Sequence, residues 1–109
     1  MTRLRAYHAL AQRLGPDVLA GRRTLAAAVG EVWQSGYWSD RTRLRLLGRM
    51  FPGYSPSEYV TANFAEAMVD ALRGRTEAAR LARQLEGDFL AMHGRPLVWC
   101  WGFPFRSQS

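Results

Sequence analysis

The sequence predicts an all-α protein, a single compact bundle of four or five helices with an extended aromatic C-terminal tail. Three observations lead to this prediction. The chain has 109 residues, of which 48% are hydrophobic, so it is long enough for one core and too short for two. Its apolar residues recur at helical spacing in five stretches, and capping residues, glycine or proline separate these stretches. We therefore assign residues 1–109 to one domain, with residues 95–109 packed on it as the tail.

The first predicted helix runs from Thr2, its capping residue, to Leu14. Gly15 and Pro16 follow directly, and they are expected to stop the helix because proline cannot donate the next backbone hydrogen bond. A short helical turn is expected over residues 17–21. The side of the first helix that faces the core consists of Leu4, Tyr7, Leu10, Ala11 and Leu14.

The second and third predicted helices flank an aromatic turn. Thr24 caps the second helix, which runs to about Ser35, and Gly36 is expected to end it in the left-handed conformation. The pair Ser39–Asp40 caps the third helix, which ends near Phe51. The buried stripe of the second helix is predicted to be Leu25, Ala28, Val29, Val32 and Trp33, and the third helix turns Leu44, Leu47 and Phe51 away from solvent.

The fourth predicted helix has the clearest start signal in the chain. Its residues Ser55–Glu58 read Ser-Pro-Ser-Glu, a capping box with proline at the first helical position, and Tyr54 and Tyr59 flank it as a hydrophobic staple. Thr76 opens the fifth helix, which runs to Gly94. The apolar faces are predicted to be Val60, Phe64, Ala67, Met68, Ala71 and Leu72 on the fourth helix, and Ala78, Leu81, Leu85, Phe89 and Met92 on the fifth.

The last stretch of the chain alternates like a strand. Large apolar side chains occupy its odd positions, namely Leu97, Trp99, Trp101, Phe103 and Phe105. Because no other segment has this pattern, the stretch cannot form a sheet, and we expect it to lie across the helices and close the core. The alternative is that part of it, together with Trp33 and Trp38, anchors a partner or stacks unpaired bases.

Positive charge is concentrated in the first half of the chain. The net charge is +6, and all 15 basic residues are arginine. Residues 1–50 hold nine arginines against three acidic residues, whereas residues 51–109 hold six of each. A basic surface favours an anionic partner such as nucleic acid or an acidic protein face. The alternative is that the charge serves solubility alone.

Three of these arginines form a row on the third predicted helix. Arg41, Arg45 and Arg49 follow one another at four-residue steps, which aligns them along one side; we call them the arginine row. Stacked like charges oppose helix formation, so an anionic partner would relieve a repulsion. The candidate partner-binding or nucleic-acid-binding residues are therefore Arg41, Arg45, Arg49, Tyr37, Trp38, Arg22 and Arg23. The structural alternatives are a solvated polar face and a Trp38 that packs under the turn.

The residue types used in nucleophilic catalysis do not form a set. Cys100 is the only cysteine, which excludes a disulfide within the chain, and we expect it to be buried and unreactive. A pair of Cys100 and His93 would lack the third group that orients such a base. His8 is the only other histidine.

The carboxylates likewise predict no metal site. Glu66 and Asp70 lie four residues apart on the fourth helix, without histidines at metal-ligand spacing, so we expect them to be exposed partners of Arg73 or Arg75. The ten glycines are scattered and form no phosphate-binding loop. No cofactor, no metal and no enzymatic activity are expected.

Hydropathy, size and charge predict where the protein is located and what it binds. No apolar run approaches the roughly 20 residues of a membrane-spanning helix, so we expect no membrane association and a cytoplasmic location. In size, basic charge and aromatic content the chain resembles the compact inhibitors that phages and mobile elements encode, including anti-CRISPR proteins. The likeness is one of profile, without residue correspondence. It implies a non-enzymatic protein that binds a protein or nucleoprotein complex and occludes a surface on it.

The alternative is a basic helical protein that binds DNA or RNA mainly through phosphate contacts, in the manner of a transcriptional regulator. The register of helix-turn-helix DNA readers is not met. Aligning Gly30 as the turn glycine leaves Gly36 where a buried aliphatic residue is required, and aligning Gly36 leaves Thr42 there. The oligomeric state stays open, and a dimer through the aromatic tail is one possibility.

Overall fold

The computed structural model describes residues 3–100, and this part of the chain forms five α-helices, one 3-10 turn and no strand. The elements are α1 (Arg3–Leu19), α2 (Leu25–Gln34), the 3-10 turn (Tyr37–Ser39), α3 (Arg41–Gly48), α4 (Pro56–Ala71) and α5 (Glu77–His93). The predicted all-α class is confirmed. None of the described helices has both the length and the apolar character to span a membrane. The tail residues 101–109 lie outside the described residues.

Helix α4 is the centre of the fold. Helices α1, α2, α3 and α5 all pack against it, so it is buried on nearly every side and not only along the predicted face. Val60, Phe64 and Met68 have no exposed surface. Two polar residues, Thr61 and Glu66, are buried as well. The Thr61 hydroxyl is satisfied within the helix, since it donates to a backbone carbonyl one turn earlier at 2.7 Å.

The predicted capping box at the start of α4 is confirmed. The Ser55 Oγ accepts from the Glu58 backbone N–H at 3.2 Å, and the Glu58 carboxylate accepts from the Ser55 N–H at 2.7 Å. Two donors that a helix N-terminus leaves unsatisfied are thereby paired. The Ser55 N–H stabilises the charged form of Glu58 and so lowers the pKa of that carboxyl.

The caps of α2 and α3 also form as predicted. The Thr24 Oγ1 accepts from the Ala27 N–H at 3.1 Å. The Asp40 carboxylate accepts from the backbone N–H groups of Thr42 and Arg43 at 2.9 and 3.1 Å, and these bonds lower the pKa of Asp40. Both helices therefore begin where their side-chain acceptors predict.

The predicted end of the first helix before Gly15 is wrong, because α1 continues through Pro16 to Leu19. Gly15 is buried against α4, where a Cβ atom would lie 3.6 Å from the Cβ of Met68, an ordinary van der Waals distance, so the helix continues through Gly15 in close packing with α4. Continuing the helix also buries Val18 completely. That burial contributes about 1.5–3 kcal/mol and offsets the hydrogen bond that Pro16 cannot donate.

Three positions predicted in the core are exposed. Leu4 and Met92 lie in the first turn of α1 and the last turn of α5, and Trp33 lies at the edge of the buried stripe of α2. The helical period alone does not show how far a neighbouring helix covers such edges. The third helix is also shorter than predicted, since α3 ends at Gly48 and the chain continues in turns to the buried Phe51.

The described part of the tail packs on the bundle. Leu97 is buried and Trp99 is half-buried. The Trp99 indole N–H donates to the Glu86 carboxylate on α5 at 2.9 Å, and the Tyr54 hydroxyl accepts from the Val98 N–H at 3.1 Å. These bonds hold the start of the tail against α5 and the segment before α4.

Replacing Pro16 should stabilise the protein. Pro16 is exposed within α1, and alanine restores a backbone donor and favours the helix. We expect Pro16→Ala to raise the free energy of unfolding by about 1–3 kcal/mol in urea denaturation. Pro52→Ala is the control outside the helices. Pro52 and Gly53 form the centre of a turn that the Tyr54 N–H closes on the Phe51 carbonyl, so this change should lower the free energy of unfolding by about 0.4–1 kcal/mol. A loss of stability in Pro16→Ala would show that the packing of α1 needs the φ angle that proline fixes.

Candidate partner-binding site

The 3-10 turn before α3 is held by an aromatic cluster around Tyr7 of α1. The Tyr7 ring stacks on Tyr37, with centroids 4.4 Å apart, and meets Trp38 and Phe64 edge to face at 5.7 and 5.5 Å. Its hydroxyl donates to the Asn63 side-chain oxygen on α4 at 2.7 Å. Burial raises the pKa of Tyr7, so the hydroxyl stays protonated and keeps this bond. The cluster joins α1, α4 and the turn into one unit.

Trp38 is consequently a core residue and not a contact residue. Only 6% of its surface is exposed, and it packs under the turn as the structural alternative predicts. Tyr37 is half-buried, because its ring stacks on Tyr7 and also lies under the guanidinium of Arg43, 4.3 Å from the ring centroid. The aromatic turn therefore supports the candidate site from below and presents little surface of its own.

Arg43 is a positioning residue for α3. Besides covering the Tyr37 ring, its guanidinium donates to the Tyr37 carbonyl at 2.8 Å. These two contacts tie the first turn of α3 to the aromatic cluster. They also occupy the charge of Arg43, which lies outside the four-residue steps of the arginine row.

Arg22 and Arg23 lie between α1 and α2 and are ion-paired within the chain. Arg22 pairs with Asp17 at 3.0 Å, and Arg23 pairs with Glu31 of α2. Glu31 also accepts from Arg13 at 3.0 Å. Because carboxylates of the same chain pair with their charges, Arg22 and Arg23 are not part of the candidate site.

The arginine row is exposed along α3, as predicted. Within residues 3–100, none of the guanidinium groups of Arg41, Arg45 and Arg49 forms an ion pair, a hydrogen bond or a ring contact. Four-residue steps separate these side chains by about 6 Å along the helix axis. The row is thus a line of three positive charges whose mutual repulsion the described chain leaves unrelieved.

An open apolar groove lies beside the arginine row, and the sequence interpretation missed it. Leu46 and Met50 are 54% and 43% exposed, and with the buried Trp38 and Leu47 they supply its apolar lining. One pattern in the sequence indicates this groove: Leu46 and Met50 lie four residues apart and outside the predicted buried side of the third helix. We call this the α3 groove, and the arginine row and the groove together the α3 surface.

The opposite side of α3 fixes the surface on the bundle. Leu47 and Phe51 are buried, as predicted. Gly48 lies so near the ring of Tyr59 on α4 that a Cβ atom there would be 3.0 Å from a ring carbon. This close approach at one end of α3, and the Asp40 cap and Arg43 contacts at the other, hold the helix in a defined orientation.

The prediction that Glu66 is an exposed partner of arginine is wrong, although Asp70 does pair with Arg73 at 2.6 Å. Glu66 is buried, because helices surround α4 on all sides. One carboxylate oxygen accepts the Cys100 backbone N–H, and the other has no hydrogen-bond partner among the described residues. Burial raises the pKa of Glu66, and the Cys100 N–H opposes this shift only in part.

The thiol of Cys100 is poorly placed for nucleophilic chemistry. Burial and the nearby Glu66 raise its pKa, which disfavours the reactive thiolate. The His93 ring packs on Phe89, with centroids 4.7 Å apart, and no hydrogen bond joins His93 to Cys100 in the described part of the chain. Nor do three potential metal-ligating side chains lie together within residues 3–100.

Neutralising the buried carboxylate should stabilise the protein at neutral pH. A raised pKa means that folded Glu66 binds its proton more tightly than unfolded Glu66, so its contribution to stability falls as pH rises above the ordinary value. We expect Glu66→Gln to be more stable than wild type in urea at pH 7.5, and the difference to shrink at pH 4. Asp70→Asn, at an exposed carboxylate on the same helix, controls for the lost charge. If the difference in unfolding free energy between Glu66→Gln and wild type is the same at both pH values, burying the Glu66 charge does not destabilise the protein.

The two tryptophans of this region should respond differently to truncation. Trp38→Ala removes a buried ring and should lower the free energy of unfolding by about 3–5 kcal/mol. Trp33→Ala, at a 40% exposed position, removes the same atoms and should cost only about 1 kcal/mol. Changing the arginine row to glutamine should alter stability by less than about 1 kcal/mol. Equal losses for Trp33 and Trp38 in urea denaturation would contradict the assignment of Trp38 to the core.

Known proteins supply no relative for the α3 surface. No protein family matches the chain, and searches of the curated proteins and of the solved structures give no significant match.

Proposed function

We propose that this chain is a small non-enzymatic binding protein whose α3 surface docks on a protein or nucleoprotein target and occludes the part that it covers. One observation carries this proposal. Three exposed arginines, without partners among the described residues, lie beside two exposed apolar side chains on α3 and on the two residues that follow it.

The mixture of residues favours a protein face in the contact. Arginine and methionine are enriched in protein interfaces, where an apolar centre is buried and charged groups lie around it. Leu46 and Met50 would supply that apolar centre, and the arginine row would contact acidic groups at its edge. Phosphate groups alone would leave the α3 groove without a use.

Occlusion suits a surface that is already held in place. The Asp40 cap, the Arg43 contacts and the close approach of Gly48 to Tyr59 limit how α3 can move. Little backbone conformational entropy is then lost on binding, which raises affinity for a small surface. Blocking a target by contact alone is also how the compact phage and mobile-element inhibitors that the sequence resembles would act.

The second candidate function is nucleic-acid binding through the arginine row. The net charge of +6 and the unrelieved repulsion in the row favour it. One observation disfavours nucleic-acid binding: several other arginines of the first half form ion pairs or hydrogen bonds within the chain. They are Arg13, Arg22, Arg23 and Arg43. These contacts reduce the positive charge that the first half offers to phosphate groups outside the arginine row.

The arginine row should be required for capture of a target, and equal charge loss elsewhere should not. The test variant carries Arg41→Gln, Arg45→Gln and Arg49→Gln. The control variant changes Arg75, Arg80 and Arg83 to glutamine, three exposed arginines outside α3, and loses the same charge. In pull-downs from a lysate of the source organism, we expect the row variant to lose a target that wild type and control retain, by about tenfold.

A second test variant, Leu46→Ser with Met50→Ser, should lose the same target, because the α3 groove supplies the apolar centre. Urea denaturation of each variant establishes that it is folded. If the row variant, the groove variant and the control all capture the same proteins as wild type, the α3 surface is not the docking site and the proposal fails.

Salt dependence separates the two candidate functions. Three phosphate contacts predict that raising salt from about 50 to 200 mM weakens binding about 40-fold, whereas apolar burial is not screened. Fluorescence anisotropy with labelled duplex DNA, single-stranded DNA and RNA measures this directly. Tight binding that needs the arginine row and collapses with salt would place nucleic-acid binding first. Absence of binding at 50 mM salt would remove it.

A further inference from the structure

We infer that the partner presents an acidic amphipathic helix to the α3 surface, with its carboxylates on the arginine row and an apolar side chain in the α3 groove. This inference rests on the proposed function and names the chemistry of the partner. Three features of the surface lead to it: the spacing of the row, the angle between row and groove, and the rigidity of the groove.

The spacing of the arginine row matches carboxylates on a helix. A four-residue step places the Cα atoms of Arg41 and Arg45 about 6 Å apart along α3, and Arg49 continues the row directly after the helix. Acidic residues at positions i, i+4 and i+8 of a second helix repeat at the same distance, so each guanidinium can meet one carboxylate when the helices lie side by side. Guanidinium groups bind carboxylates through two parallel hydrogen bonds, which suits a line of separate charges.

The position of the groove favours a helix over an extended segment. Arg45 and Leu46 are consecutive, so the row and the groove diverge by about 100° around α3 and are adjacent surfaces. A helix can also carry acidic and apolar residues on adjacent faces. A strand directs alternate side chains to opposite faces, so an acidic face on the row would point the apolar face away from the groove.

The groove has the composition of an anchor site. Its lining combines the buried Trp38 and Leu47, which belong to the core, with the exposed Leu46 and Met50. The fixed residues give a preformed floor, and methionine adapts to apolar side chains of different shape. The only acidic residue in the lining, Asp40, has its carboxylate engaged by two backbone N–H groups of α3. A leucine, methionine or phenylalanine of an acidic helix fits such a site by the helix-in-groove mode.

The test is a selection of peptides against the folded protein. Phage display presents a library of 16-residue alanine-rich helices, in which the remaining positions are drawn from Glu, Lys, Gln, Leu and Ala. The library is selected on wild type after depletion on the row variant defined above. The affinity of the enriched peptides, made synthetically, is then measured on wild type, the row variant, the groove variant and the control variant.

We expect the enriched peptides to carry glutamate at i and i+4 next to leucine. Their affinity should fall about tenfold on the row variant and by a similar factor on the groove variant, and stay within about twofold on the control. A peptide with the same composition in scrambled order should bind about tenfold more weakly than its parent. General attraction to a basic protein would not give this pattern, because the control loses as much charge as the row variant.

Two results overturn the inference, and they differ in what they leave standing. In the first result, the enriched peptides still require Leu46 and Met50, but they lack acidic residues or bind equally well after scrambling. This result overturns the acidic helix as the partner and leaves the α3 surface as the docking site. In the second result, the peptides bind wild type and all variants equally, and the pull-down captures the same targets with every variant. This result overturns both the acidic helix and the proposed function.

Discussion

The packing of the Tyr7 ring is the interaction on which the α3 surface depends. Tyr7 comes from α1, bonds to Asn63 on α4, and stacks on the turn that leads into α3. An edge-to-face contact with Trp38 completes the attachment. Because Arg43 then binds the turn, the orientation of α3 is set by a chain of contacts that begins in the core. So short a helix needs such support to keep one orientation, since eight residues do not form a stable helix alone.

The electrostatic character of the molecule depends on where its arginines find partners. A net charge of +6 suggests a broadly basic protein, yet carboxylates or aromatic rings engage several of these side chains. What distinguishes the arginine row from other exposed arginines such as Arg75, Arg80 and Arg83 is its position beside the exposed Leu46 and Met50. The proposed site therefore rests on the distribution of charge and not on its total, a property that composition alone does not give.

The sequence predicts those features that depend on neighbouring residues. The caps at Ser55 and Asp40 follow from the few residues around them, and both form. The passage of α1 through Gly15 and Pro16 could not be predicted this way, because it is stabilised by the packing of α1 on α4. Local propensity points to a stop there, and burial against a distant segment outweighs it.

The candidate site was predictable in part for the same reason. The arginine row follows from helical periodicity and is exposed as predicted. Periodicity does not show which tryptophan is covered, so the sequence places Trp33 in the core and Trp38 in the site, the reverse of what the structure shows. The exposure of Leu46 and Met50 depends on how far the other helices extend over α3, which a one-dimensional pattern does not contain.

The separation of the two sides of α3 has an evolutionary consequence. Leu47 and Phe51 hold the helix to the bundle, whereas the arginine row, Leu46 and Met50 face solvent. Substitutions on the solvent side carry little cost in folding, so selection can change the chemistry of this surface while the scaffold is retained. The five positions, three in α3 and two directly after it, can thus diversify while the fold stays the same.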